Sequence, residues 1–333
     1  MSKYAVMGAG SWGTTFAKVL ADGGNDVVLW ARREDVVEDI NEHHRNGDYL
    51  PGIDLPNCLT ATTDPVEALR DADQVYLSVP SSALRQNLEA WGAYIPKNAI
   101  VVSLMKGVEQ DTQMRMSEVI EDVLGWPKPQ ICVVSGPNLS AEIAQGQPTA
   151  SVAACSSSAN AAAVASAATN DYFTTFTNRD VIGTEFGGIL KNLIAVAIGI
   201  VNGVGYGQNT KASIMTRGLA EISRFAVAYG AKPNTMVGLA GLGDLIATSE
   251  SPLSRNFRAG EMLGKGFSKR EVLRRLSQTA EGLNSVAPVL ELAAAKGVSM
   301  PIVEQVQLVI DGKMKPRDIA PHLMGEDEAP QGE

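Results

Sequence analysis

Cysteine and histidine, the residues that most often build metal and redox sites, are scarce in this chain of 333 residues. The three cysteines lie far apart, form no C-x-x-C motif and cannot all pair, which argues against a disulfide framework and fits a reducing compartment. The three histidines show no metal-ligand spacing. We therefore expect a cytoplasmic protein that binds no metal.

An excess of positive charge and a long hydrophobic run are also missing. The formal net charge is −9, so bulk electrostatics favours neither nucleic acid nor an anionic membrane as a partner. No signal peptide is expected, because the first apolar residues alternate with glycine. The most apolar later stretch, residues 193–201, is too short to span a bilayer. The composition is that of an ordinary globular protein, with a length for about two domains.

The first half of the chain alternates strand-like and helix-like segments. Apolar runs of strand length occupy residues 4–8, 26–31, 74–80, 99–105, 130–136, 149–155 and 172–178. Helix patterns at residues 11–21 and 160–169 lie between them. Such alternation implies a parallel sheet that is covered by helices on both faces.

After about residue 183 the strand signals fade and helix patterns replace them. These patterns cover residues 185–204, 211–229, 255–263, 269–276, 285–296 and 302–310. We predict an α/β chain whose N-terminal domain, residues 1–183, is a Rossmann-type doubly wound sheet. A C-terminal all-helical domain follows at residues 184–324, and the acidic residues 325–333 are expected to form a disordered tail.

The first strand-like run leads into the sequence GAGSWG, in which Gly8, Gly10 and Gly13 fit the G-x-G-x-x-G spacing. Glycine allows the sharp turn from strand to helix and lets a pyrophosphate approach the backbone, next to a helix N-terminus that attracts phosphate. The order of strand, glycines and helix favours a dinucleotide site. The alternative is a tight turn that binds no ligand.

The end of the second strand carries Arg32 and Arg33, and Arg33 stands twenty residues after Gly13. This region of the fold commonly holds an acidic residue for the ribose of NAD, or an arginine for the 2′-phosphate of NADP. Guanidinium groups match phosphate in geometry and charge, so the pair predicts NADPH as the cofactor, with NAD as the second candidate. The alternative is a solvated pair that Glu34 and Asp35 balance.

Several later segments carry residues that suit a small anionic substrate. They are Lys106, Gly136, Asn138, Lys191, Asp244, Ser254, Arg255, Asn256 and Glu281. Lys191 stands inside a strongly apolar helix, where a charge usually needs a partner. Its small neighbours Gly187, Gly188 and Ala195 leave room for a ligand on the same helix face.

Each of these residues also has a purely structural interpretation. Lys106 could be a solvated lysine at a strand end, and Lys191 could extend its ammonium group to solvent. Asp244 could be a turn or cap residue, and Ser254 could be only a helix N-cap. The functional interpretation is favoured because the segments occur together and in one order.

That order is GAGSWGT, KGVE, SGPNLSAEIA, LKN, GLAGLGDLIAT, SRN and EG. In this series of motifs the chain resembles the bacterial NAD(P)-dependent glycerol-3-phosphate dehydrogenases over almost its whole length. The resemblance implies a reversible reduction of dihydroxyacetone phosphate to sn-glycerol 3-phosphate by NAD(P)H, in the service of glycerophospholipid synthesis. It also implies a homodimer.

The resemblance further implies roles for single residues, with Lys191 as the catalytic acid and base. The implied cofactor contacts are Gly8, Gly10, Ser11, Trp12, Gly13, Arg32, Arg33, Lys106, Ser140, Arg255, Thr279 and Glu281. The implied substrate contacts are Lys106, Gly136, Asn138, Lys191, Asp244, Ser254, Arg255 and Asn256. Asn138 and Ser140 depart from the family pattern, which often has serine or threonine at the first position and alanine at the second.

Two other functions compete with this interpretation. One is a different lysine-dependent, two-domain dehydrogenase that acts on a hydroxy acid, against which the GLAGLGDL and SRN segments argue. The other is a Rossmann-type sensor that binds NADPH without turnover. Such a sensor would not need a lysine inside an apolar helix.

Overall fold

The computed structural model describes residues 2–276 and 280–320, which form two compact units. Unit 1 ends at Val181 and unit 2 begins at Ile182. The domain boundary that the sequence suggests, residue 183, falls in the first turn of the helix Val181–Val204. Thr279 and the expected disordered tail, residues 325–333, lie outside the described residues.

Unit 1 is built on one eight-stranded sheet. Its strands are β1 (Lys3–Met7), β2 (Asp26–Trp30), β3 (Leu59–Thr62), β4 (Gln74–Leu77), β5 (Ile100–Ser103), β6 (Ile131–Ser135), β7 (Thr149–Ala154) and β8 (Phe173–Asn178). They lie in the order β3-β2-β1-β4-β5-β6-β7-β8, and neighbouring strands are parallel except for β6 and β7. The predicted doubly wound sheet is confirmed. Strand β3 escapes the sequence patterns because it has only four residues, two of them threonine.

Helices cover both faces of this sheet. They are α1 (Ser11–Asp22), α2 (Glu34–His43), α3 (Pro65–Leu69), α4 (Leu84–Trp91), α5 (Met116–Leu124), α6 (Ser140–Ala144) and α7 (Ser158–Ala168). Successive residues of β1 point to opposite faces. Tyr4 and Val6 pack in one apolar cluster, whereas Ala5 and Met7 belong to a second cluster. Because both faces are buried, the strand is apolar throughout instead of alternating.

The described part of unit 2 contains helices and turns but no strand. Its helices are α8 (Val181–Val204), α9 (Gln208–Ala228), α10 (Pro233–Met236), α11 (Asp244–Glu250), α12 (Arg255–Gly264), α13 (Lys269–Arg275), α14 (Glu281–Ala295) and α15 (Pro301–Ile310). This arrangement confirms the predicted all-helical second half. The predicted helix ends are correct to within four residues.

Helix α8 supplies much of the core of unit 2. By length and composition it could cross a membrane, but 83% of its most apolar window is buried within the protein. Glycine lets its backbone meet that of α12, because a Cβ on Gly199 would lie 2.2 Å from the carbonyl oxygen of Phe257. The apolar character of α8 therefore serves packing against neighbouring helices.

The segment between α9 and α12 differs most from the prediction. Helix α10, a π-helical turn at Leu239–Gly243 and helix α11 occupy a stretch for which the sequence patterns predict no helix. A Cβ on Gly241 would lie 2.1 Å from the carbonyl oxygen of Met236. Close backbone packing thus explains a glycine that sequence patterns interpret as a helix breaker.

A buried carboxylate on α9 holds the start of α15. Glu221 is 1% exposed and accepts hydrogen bonds from the N–H groups of Ile302 and Val303, at 2.9 and 3.1 Å. These contacts cap a helix whose N-cap residue, Met300, offers no side-chain cap. Burial raises the pKa of Glu221 from its ordinary 4.5 to about 7, although the two N–H groups and Arg224 act in the opposite direction.

This raised pKa predicts a distinct pH dependence of stability. The protonated carboxyl of Glu221 contributes stability to the folded protein. This contribution is fully present below about pH 4.5 and is lost as the pH rises through about 7, because the folded protein holds the proton more tightly than the unfolded chain does. The loss in the free energy of unfolding is at most about 3 kcal/mol. Glu221→Gln should remove this slope in urea titrations between pH 5 and 8. Glu250→Gln, an exposed charge-matched control at the end of α11, should retain it. Parallel pH profiles for wild type and Glu221→Gln would contradict the assignment.

Candidate functional site

Two glycines of the turn between β1 and α1 are required by the protein's own backbone. Gly8 has a φ of +126°, and a Cβ there would lie 2.5 Å from the carbonyl oxygen of Ser78. A Cβ on Gly13 would lie 1.9 Å from the carbonyl oxygen of Gly8. Both positions are closed to other residues on steric grounds alone.

Gly10 differs from these two because nothing in the fold requires it. Its φ of −75° and ψ of 178° suit any residue, and no described heavy atom lies within 4 Å of its added Cβ. Gly10 is the N-cap of the twelve-residue helix α1 and provides no side-chain cap. Open space beside an uncapped helix N-terminus is the environment that a pyrophosphate needs. The turn therefore fits a dinucleotide.

The two arginines predicted to select the cofactor lie between β2 and α2, and both are exposed. Arg33 forms ion pairs with Asp35, at 3.4 Å, and with Asp48. The contact with Asp35 is the one expected if the two arginines are only a solvated pair whose charge nearby carboxylates balance. Asp48 comes from a different segment, the loop after α2.

Polar groups meet where β5 and β6 end. Lys106 follows β5, and its Nζ donates to the carbonyl oxygen of Gly136 at 3.0 Å. Asn138 Nδ2 donates to Ser151 Oγ at 3.2 Å, whereas its buried Oδ1 finds no hydrogen-bond partner among the described residues. Ser140 begins α6. The carboxyl ends of these strands thus hold a cation and an unsatisfied acceptor, as expected of a ligand site in an open α/β sheet.

In unit 2, Lys191 belongs to a buried charged cluster. Its side chain is 8% exposed, and its Nζ lies 2.9 Å from Asp244 Oδ1, whose side chain is 2% exposed. Nζ also donates to the hydroxyl of Thr248, which in turn donates to Asp244 Oδ1 at 3.2 Å. The Asp244 carboxylate compensates the buried positive charge of Lys191. Lys191 therefore does not extend to solvent, and Asp244 is more than a turn residue.

Glycine packing explains how these groups meet. A Cβ on Gly187, one turn before Lys191 on α8, would lie 2.4 Å from the carbonyl oxygen of Ala240. The missing side chain lets the turn Leu239–Gly243 approach α8 closely, and α11 starts directly after it with Asp244. The glycine-rich sequence thus serves to bring the carboxylate to the lysine.

A second hydrogen-bonded set joins α8, α12 and α14. Asn256 Nδ2 donates to Asn192 Oδ1 at 2.8 Å, and its Oδ1 accepts from the N–H of Gly282 at 2.9 Å. Ser254 caps α12 by accepting from the N–H of Phe257 at 3.2 Å, so the cap that its structural interpretation expects is present. Arg255 is the first residue of α12 and is exposed.

The structure adds residues that sequence patterns miss. Thr248 follows Asp244 by four residues, which places both on one helix face. This spacing is visible in the sequence, but it is informative only if helix α11 is predicted first. Asn192 directly follows Lys191 in the sequence, but its hydrogen bond with Asn256 depends on how α8 and α12 pack against each other. Among the described residues, no group of three potential metal ligands occurs.

Comparisons with known proteins cover almost the whole chain. Two family descriptions match the chain, the NAD-dependent glycerol-3-phosphate dehydrogenase N-terminus over residues 3–161 and C-terminus over residues 180–321. A glycerol-3-phosphate dehydrogenase of Leifsonia xyli, designated NAD(P)+, is 62% identical over 328 residues, which cover 98% of this chain and 89% of the relative. A protein of the same name from Thermobifida fusca is 50% identical and covers 99% of both chains.

Solved structures are similar as well. The crystal structure of glycerol-3-phosphate dehydrogenase from Coxiella burnetii matches with a TM-score of 0.92 and 33% identity. The match covers 98% of this chain and 99% of that chain. The similarity therefore extends over both units.

Proposed function

The chain belongs to the NAD-dependent glycerol-3-phosphate dehydrogenase family, and on this premise we propose that Lys191 transfers the proton in its reaction. The reaction is the reversible reduction of dihydroxyacetone phosphate to sn-glycerol 3-phosphate with NADH or NADPH. We further infer that this product supplies glycerophospholipid synthesis. The observation that carries the proposal is the buried cluster of Lys191, Asp244 and Thr248. The matches favour neither a hydroxy-acid dehydrogenase nor a sensor without turnover.

The chemistry of the reduction gives each member of the cluster a task. A nicotinamide cofactor held at the turn between β1 and α1 would supply the hydride for the ketone carbon, and negative charge would then develop on the ketone oxygen. The Lys191 ammonium stabilises that charge and donates a proton from Nζ to the oxygen. Asp244 and Thr248 hold Nζ in place through an ion pair and a hydrogen bond. In the reverse reaction the uncharged amine accepts the proton of the alcohol.

We assign the phosphate of the substrate to the start of α12. Arg255 is exposed there and can form charge-assisted hydrogen bonds with phosphate oxygens. Ser254 uses its oxygen as a cap acceptor, a contact that does not use its hydroxyl proton. Asn256 is held by Asn192 and Gly282, which orients its amide. Lys106, Gly136 and Asn138 complete the proposed substrate contacts, supported by the unsatisfied buried Oδ1 of Asn138.

We assign the cofactor to the turn between β1 and α1. The open space at Gly10 supports this assignment most directly. The further proposed contacts are Gly8, Ser11, Trp12, Gly13, Arg32, Arg33, Lys106, Ser140, Arg255, Thr279 and Glu281.

One assay tests the proposed reaction. Purified protein is mixed with dihydroxyacetone phosphate, and the absorbances of NADPH and NADH are followed in separate reactions, with glycerol 3-phosphate quantified as product. We expect both cofactors to be consumed, NADPH more efficiently. Turnover with a keto acid in place of dihydroxyacetone phosphate would instead indicate the hydroxy-acid enzyme. Intact NADPH binding without turnover on any ketone would indicate the sensor.

The two arginines give a separate prediction. Changing Arg32 and Arg33 together to glutamine should raise the KM for NADPH about five- to tenfold more than the KM for NADH, because a charge-assisted contact to the 2′-phosphate is lost. The control changes two other exposed arginines of unit 1, Arg45 and Arg70, to glutamine and removes the same charge. Equal effects on the two cofactors would show that the pair is only a solvated surface feature.

We also propose that the protein is a cytoplasmic homodimer without nucleic-acid or membrane partners. Its three cysteines are free, which suits a reducing compartment. Unit 2 exposes large apolar side chains, which suit an interface between subunits; they are Val227, Val237, Ile246, Leu253 and Leu273. Light scattering should give twice the mass of the chain.

A further inference from the structure

The loop after α2 is hydrogen-bonded to the glycine-containing turn between β1 and α1. We call residues 45–55 the β2–β3 loop. Asn46 is 1% exposed, and its Nδ2 donates to the carbonyl oxygen of Ala9 at 3.1 Å and to Thr14 Oγ1 at 2.8 Å. Ser11 Oγ donates to the carbonyl oxygen of Tyr49 at 3.0 Å. These contacts fix the loop on both sides of residue 48 against the segment that binds the cofactor.

Asp48 lies between the two anchors and reaches Arg33. Its carboxylate forms an ion pair and a hydrogen bond with the Arg33 guanidinium group. The ring of Tyr49 lies 6.0 Å from the same guanidinium. The side chains of Arg33 and Asp48 are 48% and 61% exposed, so a ligand can reach both of them.

The pair has opposite consequences for the two cofactors. NADPH carries a 2′-phosphate that needs the Arg33 guanidinium and is repelled by a carboxylate beside it. NADH carries a 2′-hydroxyl, which in this fold is commonly bound by an acidic side chain. The end of β2 has arginines in place of that acid, whereas the β2–β3 loop brings a carboxylate to the same guanidinium.

We propose that Asp48 sets the balance between NADPH and NADH by competing with the 2′-phosphate for Arg33. With NADH, the Asp48–Arg33 pair stays closed and offers a carboxylate to the ribose. With NADPH, the phosphate displaces Asp48 from Arg33. The inference rests on the proposed contact between Arg33 and the 2′-phosphate, and it makes Asp48 a determinant of cofactor specificity.

The test is Asp48→Asn, with equilibrium binding measured by cofactor fluorescence in the absence of any ketone. The dissociation constant for NADPH should fall about two- to fivefold, the range expected for an exposed ion pair. The constant for NADH should stay unchanged or rise. Because the competition is electrostatic, the gain for NADPH should shrink as salt is added. Both side chains are exposed, so the melting temperature should match that of wild type.

Asp54→Asn is the matched control. Asp54 lies on the same loop, pairs with Arg45 at 3.2 Å and is 83% exposed, so its loss changes the net charge equally. It should leave both dissociation constants unchanged. An equal gain for NADPH in Asp54→Asn would reduce the effect to bulk charge and overturn the proposal, as would equal shifts for both cofactors in Asp48→Asn.

Arg33→Gln separates this inference from the assignment on which it depends. If Arg33→Gln does not weaken NADPH binding more than NADH binding, Arg33 does not bind the 2′-phosphate. The assignment of Arg33 and the proposal for Asp48 are then both wrong. If it does so but Asp48→Asn has no effect, only the competition is wrong. In the double variant the Asp48→Asn gain should vanish, because its target is gone. A gain that persists there would also overturn the proposal.

Discussion

Replacing Lys191 with methionine should lower kcat for dihydroxyacetone phosphate about 10²–10⁴-fold, the range for a lost general acid. The loss should lie at the upper end of this range or beyond it, because the ammonium also stabilises the negative oxygen. Binding of NADPH should stay nearly intact, because the proposed nucleotide contacts of the glycine turn and the arginines lie in unit 1. Methionine preserves most of the side-chain volume, which limits the cavity that alanine would create. The measurement is turnover at saturating NADPH, beside a binding titration.

The partner of Lys191 dictates the controls. Methionine leaves the Asp244 carboxylate buried without its cation, which costs about 3–5 kcal/mol. Lys191→Met combined with Asp244→Asn removes both charges and should melt closer to wild type while remaining inactive. Lys265→Met, an exposed lysine of unit 2 that pairs with Glu261, should retain full activity. If a folded Lys191→Met protein reduces the ketone at nearly the wild-type rate, Lys191 is structural, and Lys106 becomes the leading candidate for the acid.

The second large effect is expected at Gly10. Gly10→Ala should raise the dissociation constants of both NADPH and NADH about 10- to 100-fold, because the methyl group occupies space that the pyrophosphate needs. The melting temperature without cofactor should not change, since the backbone angles suit alanine and no described atom lies within 4 Å of the new Cβ. Fluorescence titration and thermal melting measure the two quantities independently.

Gly13→Ala provides the contrast to this variant. Its Cβ would lie 1.9 Å from the carbonyl oxygen of Gly8, so the turn itself must move. The melting temperature should fall by about 5 °C or more, as a backbone clash of a few kcal/mol implies. If Gly10→Ala lost stability to the same degree, or bound both cofactors like wild type, the open space at Gly10 would have no role in dinucleotide binding.

Features that depend on local spacing can be predicted from the amino-acid sequence alone. Strand and helix periodicity along the first half predicts the parallel sheet, and the glycines at 8, 10 and 13 predict its dinucleotide turn. The apolar surroundings of Lys191 mark a charge that needs a partner. Each of these signals is local in the sequence, where the period of a helix or strand fixes which side chains share a face.

Contacts between residues that are distant in sequence could not be predicted and depend on the packing of the folded chain. The hydroxyl of Thr248 lies 57 positions from Lys191 in sequence, and Asn256 lies 64 positions from Asn192. Neither pairing follows from periodicity, because each depends on how closely two helices pack. The close approach of the Leu239–Gly243 turn to Gly187 illustrates this dependence.

The loop that holds Asp48 is decided in the same way. Its composition is that of a solvated connection, and its place on the dinucleotide turn depends on one buried asparagine, Asn46, and on the Ser11 hydroxyl. A residue's secondary-structure propensity indicates only which local backbone conformation it favours. The identity of a hydrogen-bond partner is set by the packing of other elements, and that information is distributed over the whole fold.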